Sequence, residues 1–267
     1  MMEQKSFKER VKETVIQNAY SYKKYFVDYE YLLFSTAFVN NKYYIVSAYN
    51  DNYLHLTGLH TSLNAIDFFE KCYTWTLEES DFDFCKSGQN ESEVKGSVRR
   101  KINSLPTIMD IFNVGTSVEE DFEKNRIRCA LAAGNVSATL GFVVAGKAKP
   151  MTLLKGNELN SAKAKKLDLV FRRKSGEDRF TEMLIGDEHR LLEYKGTLAD
   201  LLSEELLSLI NTDEKVYDMS ITGKTIRFDE KFYKVTESIA EEIVNKMKNE
   251  LWRYSKDNTH YLMRIKK

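Results

Sequence analysis

The residues of this chain best suited to chemistry sit in one ten-residue run, Asn52-Tyr53-Leu54-His55-Leu56-Thr57-Gly58-Leu59-His60-Thr61, which brings together two imidazoles and two threonine hydroxyls. Histidine changes charge near neutral pH, so His55 suits a general base or acid, and the Thr57 hydroxyl suits donation to a phosphate oxygen. In an extended run, alternation sends Tyr53, His55 and Thr57 to one face and Leu54 and Leu56 to the core, so that His55 and Thr57 face the same space. The competing reading is a histidine merely hydrogen-bonded at a strand end. A second cluster, Ala133-Gly134-Asn135-Val136-Ser137-Ala138-Thr139-Leu140-Gly141-Phe142, sets small polar residues around glycine between two predicted strands. There Asn135, Ser137 and Thr139 alternate onto one face and can line a pocket with hydroxyl and amide donors. Its competing reading is a polar strand face with a turn at Gly134-Asn135.

Other chemistries find no support. Gly223-Lys224-Thr225 has the tail of a phosphate-binding loop, but Asp218 stands where that loop needs its first glycine. No G-x-G-x-x-G, H-E-x-x-H or G-x-S-x-G occurs, and the four histidines are too scattered for a zinc cage. Glu78-Glu79-Ser80-Asp81 reads as a solvated turn. No metal and no cofactor is expected. The three cysteines, Cys72, Cys85 and Cys129, are odd in number and lack C-x-x-C spacing, which fits a reducing compartment. The charged N-terminus lacks an apolar signal core and no window approaches 18 apolar residues, so a cytoplasmic protein without membrane partners is expected.

The elements that must position these residues follow from pattern. At 267 residues, 42% hydrophobic and 12% aromatic, the chain can bury a full core. A helix is predicted over 5–25, then an antiparallel pair, Tyr29 to Phe38 and Tyr43 to Tyr49, joined at Asn40-Asn41. Helices follow from Ser62 and from Val94 to Leu105, stopped by Pro106. Short strands are predicted at 126–132, 137–145, 149–154, 167–173 and 179–186. The result is an α+β class with a mainly antiparallel sheet.

Charge is segregated although 40 bases balance 40 acids. Nine Lys/Arg face two acids from Lys147 to Lys174, whereas Glu177 to Asp218 carries twelve acids against four bases. That change predicts a main domain over 1–190 and an accessory unit over 191–267. The latter reads as a helix at 198–210, a hairpin at 215–234 turning at Thr222-Gly223-Lys224, and a long helix from Ser238. Its stripe of Ile243, Met247, Leu251 and Tyr254 offers a surface for a homodimer or partner. Basic runs, including Lys95, Arg99, Arg100 and Lys101, suggest an anionic ligand.

The run Tyr53-Leu54-His55-Leu56-Thr57-Gly58, with Ala65-x-x-Phe68-Phe69-x-Lys71-Cys72, Ala133-Gly134-Asn135, Gly141-Phe142-Val143 and Leu153-Leu154-Lys155, resembles a phage-associated nuclease-like family. It is the fourth clade of those grouped with barnase, EndoU, the tRNA-cleaving colicins and RelE, and the similarity covers roughly residues 10–190. The resemblance implies a small α+β nuclease-like fold and a phage or mobile-element protein that cleaves RNA, tRNA among the candidates, without a metal. In that implied chemistry a base takes the ribose 2′-hydroxyl proton, an acid protonates the leaving oxygen, and cations stabilise the phosphorane charge. His55 would be base or acid and Thr57 would bind the phosphate, both matched directly by the motif. Asn135 and Ser137 would complete the pocket and Lys101 or Lys155 supply positive charge, by polarity and position alone. The chain departs from the family pattern at Lys149-Pro150-Met151 and Asn157-Glu158-Leu159. The alternative is a catalytically inactive effector that binds and inhibits a host defence protein or sequesters a nucleotide.

Overall fold

The computed structural model describes residues 5–113 and 115–210, together with the backbone of strands at 215–222, 225–228, 231–234, 253–254 and 260–265. Two compact units result, Met1–Leu206 and Leu207–Lys267.

The first unit opens with α1 (Phe7–Tyr22), started by the Ser6 hydroxyl accepting from the Glu9 amide at 3.0 Å. Its buried stripe of Val11, Val15, Ile16, Ala19 and Tyr22 has helical spacing, and a π-helical turn, Lys23–Val27, follows and buries Phe26. Strands β1 (Tyr29–Phe34) and β2 (Tyr43–Ser47) then pair antiparallel, from Glu30↔Ser47 to Phe34↔Tyr43. The expected tight turn at Asn40-Asn41 is instead a connector over 35–42, because side chains distant in sequence hold its backbone. The Glu120 carboxylate accepts from the Val39 and Asn40 amides at 2.8 and 3.0 Å, and Asp168 accepts from the Thr36 amide at 2.7 Å.

Three helices follow: α2 (Asn52–Thr57), α3 (Ala65–Tyr73) and α4 (Glu91–Ser104). α3 begins after Ser62 because the Asn64 side chain caps it by accepting from the Asp67 amide at 2.9 Å. α4 begins ahead of Val94 because Asn90 and Glu93 form a capping box, at 2.9 and 3.1 Å. Pro106 then sits in a 3₁₀ turn, Leu105–Asp110.

The remaining strands are β3 (Ser117–Lys124), which pattern did not reveal, β4 (Ile127–Gly134), β5 (Ala138–Ala145), β6 (Lys147–Lys155), β7 (Lys165–Lys166), β8 (Leu169–Lys174) and β9 (Glu182–Ile185). Their order is β7-β3-β4-β5-β6-β2-β1-β8-β9, antiparallel throughout except for β2 beside β6. β7 pairs with β3, and a few residues later β8 pairs with β1. The chain from 165 to 174 therefore bridges the two ends of the six-strand run β3 to β1, and the sheet curls toward closure. The helices cover one face, where Val15, Tyr22, Phe26, Tyr53, Phe68, Phe69, Val98, Leu140 and Phe142 share one core cluster. Each such aromatic contributes roughly 1.5–3 kcal/mol by leaving water.

The chain from 188 on departs from the expected boundary at 190. α5 (Glu188–Leu198) buries Leu191 and Leu198, and Phe180 and Leu202 form a parallel bridge, with the Phe180 amide donating to Leu201 O at 2.8 Å. These apolar contacts keep α5 and α6 (Glu204–Ser208) largely with the first unit, in place of one helix over 198–210. The second unit contains β10 (Lys215–Thr222), β11 (Thr225–Phe228), β12 (Lys231–Lys234), β13 (Arg253–Tyr254) and β14 (His260–Ile265), in the order β12-β11-β10-β14-β13. The segment expected as one hairpin over 215–234 is a three-strand meander: β10 pairs with β11, Thr222 opposite Thr225, and β11 turns back to pair with β12. Tyr254 lies in a strand opposite Tyr261, not in a helix, because β14 offers β13 a partner edge. The helix from Ser238 and its stripe at Ile243, Met247 and Leu251, with the homodimer built on them, lie outside the described residues.

Much of the basic segment 147–174 is consumed internally. Buried Glu30 receives Arg173 at 2.7 Å together with Lys147, Lys165 pairs with Glu120 at 2.5 Å, and Arg172 pairs with Glu182 at 2.5 Å. No helix among the described residues is long and apolar enough to cross a membrane.

Candidate functional site

The run that carries His55 is helical where alternation predicted extension. Tyr53, Leu56 and Thr57 are buried at spacings of three and four, and Gly58 closes α2 with φ +72°, its amide donating to Leu54 O at 3.3 Å. Tyr53 locks the helix in place: its hydroxyl donates to Val15 O at 2.6 Å, and its ring meets those of Tyr22 and Phe69 at 5.0 and 5.5 Å. In a helix two residues apart means about 200° of rotation, so His55 and Thr57 cannot face one space. His55 is exposed. Thr57 is fully buried; its hydroxyl donates to Leu54 O at 2.8 Å and accepts from the Leu59 amide at 3.2 Å, which commits it to the helix end.

Lys101 of α4 is brought to this helix instead. Its Nζ donates to His55 O at 2.7 Å, among the carbonyls left open at a helix C-terminus, where positive charge is favoured. Its aliphatic stem crosses Gly58 so closely that a Cβ there would stand 2.8 Å from Lys101 Cδ. Burial, aided by the charge of Lys86, draws the Lys101 ammonium down to about 8. A cation poised near neutrality can stabilise developing phosphoryl charge or deliver a proton. Beyond the motif, His60 and Asp83 form a two-sided bridge with Nδ1 and Oδ1 at 2.9 Å, and the Cys85 amide also donates to that oxygen at 2.8 Å. The Cys85 amide and His60 hold the Asp83 carboxyl below its usual value.

Asn135, Ser137 and Lys155 gather at one end of β4, β5 and β6. Asn135 Oδ1 accepts from the amides of Ser137 and Ala138 at 2.9 and 3.0 Å, making the turn between β4 and β5. Ser137 is exposed and its carbonyl accepts from the Gly156 amide at 2.9 Å. Thr139 does not share that face: it is buried, donating to Gly156 O at 2.8 Å and accepting from the Glu158 amide at 2.8 Å. Lys155 is exposed and lies opposite Ala138 in the ladder.

The structure thus unites His55 with Lys101, and separately Asn135 and Ser137 with Lys155. α2 and α4 both pack on β6, whose last residue is Lys155, but no hydrogen bond joins the two sets among the described residues. Lys86 and the His60–Asp83 pair escaped sequence reasoning, since residues 15 and 23 positions from their partners carry no spacing signal. Among the described residues no group of three or more His, Cys, Asp or Glu could hold a metal ion.

Comparison with known proteins yields one result. The family model described as phage-Barnase-EndoU-ColicinE5/D-RelE like nuclease4 matches residues 14–177, a span that runs from within α1 to just beyond β8 and holds both sets of residues. No curated protein and no solved structure matches significantly.

Proposed function

The chain belongs to the phage-Barnase-EndoU-ColicinE5/D-RelE like nuclease family, its fourth clade, and from that premise we propose that it is a metal-independent ribonuclease-like protein acting on RNA. The observation that carries the reading is the pairing at α2, where an exposed imidazole and an ammonium drawn down to about 8 share one helix end. His55 takes the proton of a ribose 2′-hydroxyl, which attacks the adjacent phosphorus and expels the 5′-oxygen. Lys101 stabilises the charge on the phosphorane and gives a proton to the departing 5′-oxygen, which leaves as a hydroxyl. Thr57 acts only through the helix end it closes. Asn135 and Ser137 shape the neighbouring turn, and Lys155 offers the backbone a second charge.

Incubating the protein with total bacterial RNA in EDTA tests this. Discrete fragments that vanish with His55→Ala and weaken with Lys101→Ala support cleavage. RNA left intact by the unaltered chain, alongside a stable complex with a host protein, supports the second reading, a catalytically inactive effector. That reading draws on the closure of the Thr57 hydroxyl onto its own helix. In either case the site of action proposed is the cytoplasm of a bacterial host.

A further inference from the structure

On the helix-covered face of the sheet, at β1 and β8 and remote in sequence from the His55 motif, lies an open cleft of about 480 Å³ lined by Lys24, Tyr25, Asp28, Tyr29, Arg172 and Lys174. Ligand clefts commonly measure roughly 300–1,000 Å³, so this one has room for a mononucleotide. Its architecture follows from strand register. Tyr29 lies opposite Lys174 and Tyr31 opposite Arg172, so alternation puts two tyrosines and two cations on one face of β1 and β8. The intervening Glu30 and Arg173 point the other way into a buried ion pair. The π-helical turn Lys23–Val27 supplies the wall with Lys24 and Tyr25, and such turns recur at functional sites. The turn is fastened down: the Tyr31 hydroxyl donates to Tyr25 O, the Asp28 amide to Lys23 O at 2.9 Å, and the Ser175 amide to Asp28 O at 2.9 Å.

The lining has the composition of a nucleotide subsite. The Arg172 guanidinium lies 4.4 Å from the centre of the Tyr29 ring, and Lys24 Nζ lies 5.2 Å from that of Tyr25. Planar guanidinium and tyrosine faces are the surfaces on which unstacked bases settle, and three cations against the single carboxylate of Asp28 favour a phosphate. Asp28 is itself matched by Lys23 at 2.5 Å, and Arg172 by Glu182, which leaves Lys24 and Lys174 as the charges most available to a ligand. We propose that this cavity binds one nucleoside phosphate unit, its base stacked beside Tyr29 and Arg172 and its phosphate between Lys24 and Lys174. The proposal rests on the reading of RNA as substrate, for which the cavity is an anchoring subsite away from His55.

The test is the anisotropy of a fluorescein-labelled hexa-adenylate RNA titrated with the full chain in EDTA, with and without 5′-AMP as competitor. Charge reversal at two exposed positions, Lys24→Glu with Lys174→Glu, is expected to weaken RNA binding at least tenfold. Tyr29→Ala should weaken it severalfold, with Tyr29→Phe restoring it. Charge reversal at exposed Lys163 and Lys166, outside the cavity, should cost less than threefold. Competition by 5′-AMP that disappears in the Lys24/Lys174 variant identifies a free nucleotide as sufficient; absence of competition, with RNA binding still dependent on the pair, identifies the RNA chain. Equal weakening by the two lysine pairs, or no weakening by either, overturns the proposal. RNA left intact in the cleavage assay while the Lys24/Lys174 variant still loses binding would remove the catalytic reading and leave the cavity standing.

Discussion

Gly58 answers two demands with one missing atom, and substitution there reads out both. Its φ of +72° costs an ordinary residue about 1–2 kcal/mol, and the new Cβ would push into the Lys101 stem at 2.8 Å. Gly58→Ala should lower stability by about 1–3 kcal/mol in urea titration, and it should dislodge Lys101 from His55 O. Lys101 also sets a pH dependence. Its ordinary value of 10.5 falls to about 8 in the folded chain, so between those values the unfolded chain holds more protons than the folded one. The penalty of a half-buried charge is fully present below about pH 8 and is relieved as pH rises toward 10.5. Stability measured against Lys101→Met should therefore rise across that window, and a flat difference would show that the ammonium is not desolvated. If Lys101 serves cleavage as its ammonium, activity should fall on the alkaline side of about pH 8.

Asn135 shows how an element can absorb a residue that chemistry appears to claim. Its Oδ1 holds two amides of the β4–β5 turn, so Asn135→Ala should cost about 0.5–1.5 kcal/mol per bond lost, while Asn135→Asp keeps the oxygen that accepts both bonds and most of the stability. Chemical denaturation of the pair checks this, and a fall in RNA affinity with unchanged stability would return Asn135 to substrate binding. The neighbouring glycines have the same kind of reason. A Cβ on Gly141 would lie 2.5 Å from Cys129 Sγ, and one on Gly134 would lie 2.9 Å from Asn157 and Leu159 atoms, so the motif residues of β4 and β5 are largely scaffold. The strands at 127–155 were legible because alternation and turn residues coincide there. The helix at His55 was legible in principle, since Tyr53, Leu56 and Thr57 followed by glycine form a short buried stripe with a C-terminal stop, but six residues also fit alternation. β3 stayed hidden because adjacent buried Glu119 and Glu120 break its pattern. The cavity between β1 and β8 needed the register of strands separated by more than a hundred residues, which one chain's local pattern does not contain.

At the scale of the whole molecule, the near-closure of the sheet hangs on Glu120. This buried carboxylate receives Lys165, the Tyr44 hydroxyl at 2.7 Å and the amides of Val39 and Asn40, tying β3, β2, the 35–42 connector and the bridging strand together. Burial opposes its charge, yet those donors win and hold it at about 2, below its ordinary 4.5. The stabilisation is therefore complete above about pH 4.5 and is lost as pH falls from there toward 2. Glu120→Gln should cost about 2–4 kcal/mol at neutral pH, because part-buried Lys165 is left without its partner, and the cost should shrink in acid. Acid unfolding followed by tyrosine fluorescence in both forms checks the window. The same bridging strand has a consequence for how the protein comes into being. Residues 165–174 must leave the ribosome before β1 and β3 can be joined, so between translation of β3, complete at residue 124, and of β8, complete at residue 174, the chain presents two unpaired sheet edges. The first unit is thereby incomplete until its family-defining segment is nearly all translated, and a nascent chain stalled before residue 165 would be a target for chaperones and proteases.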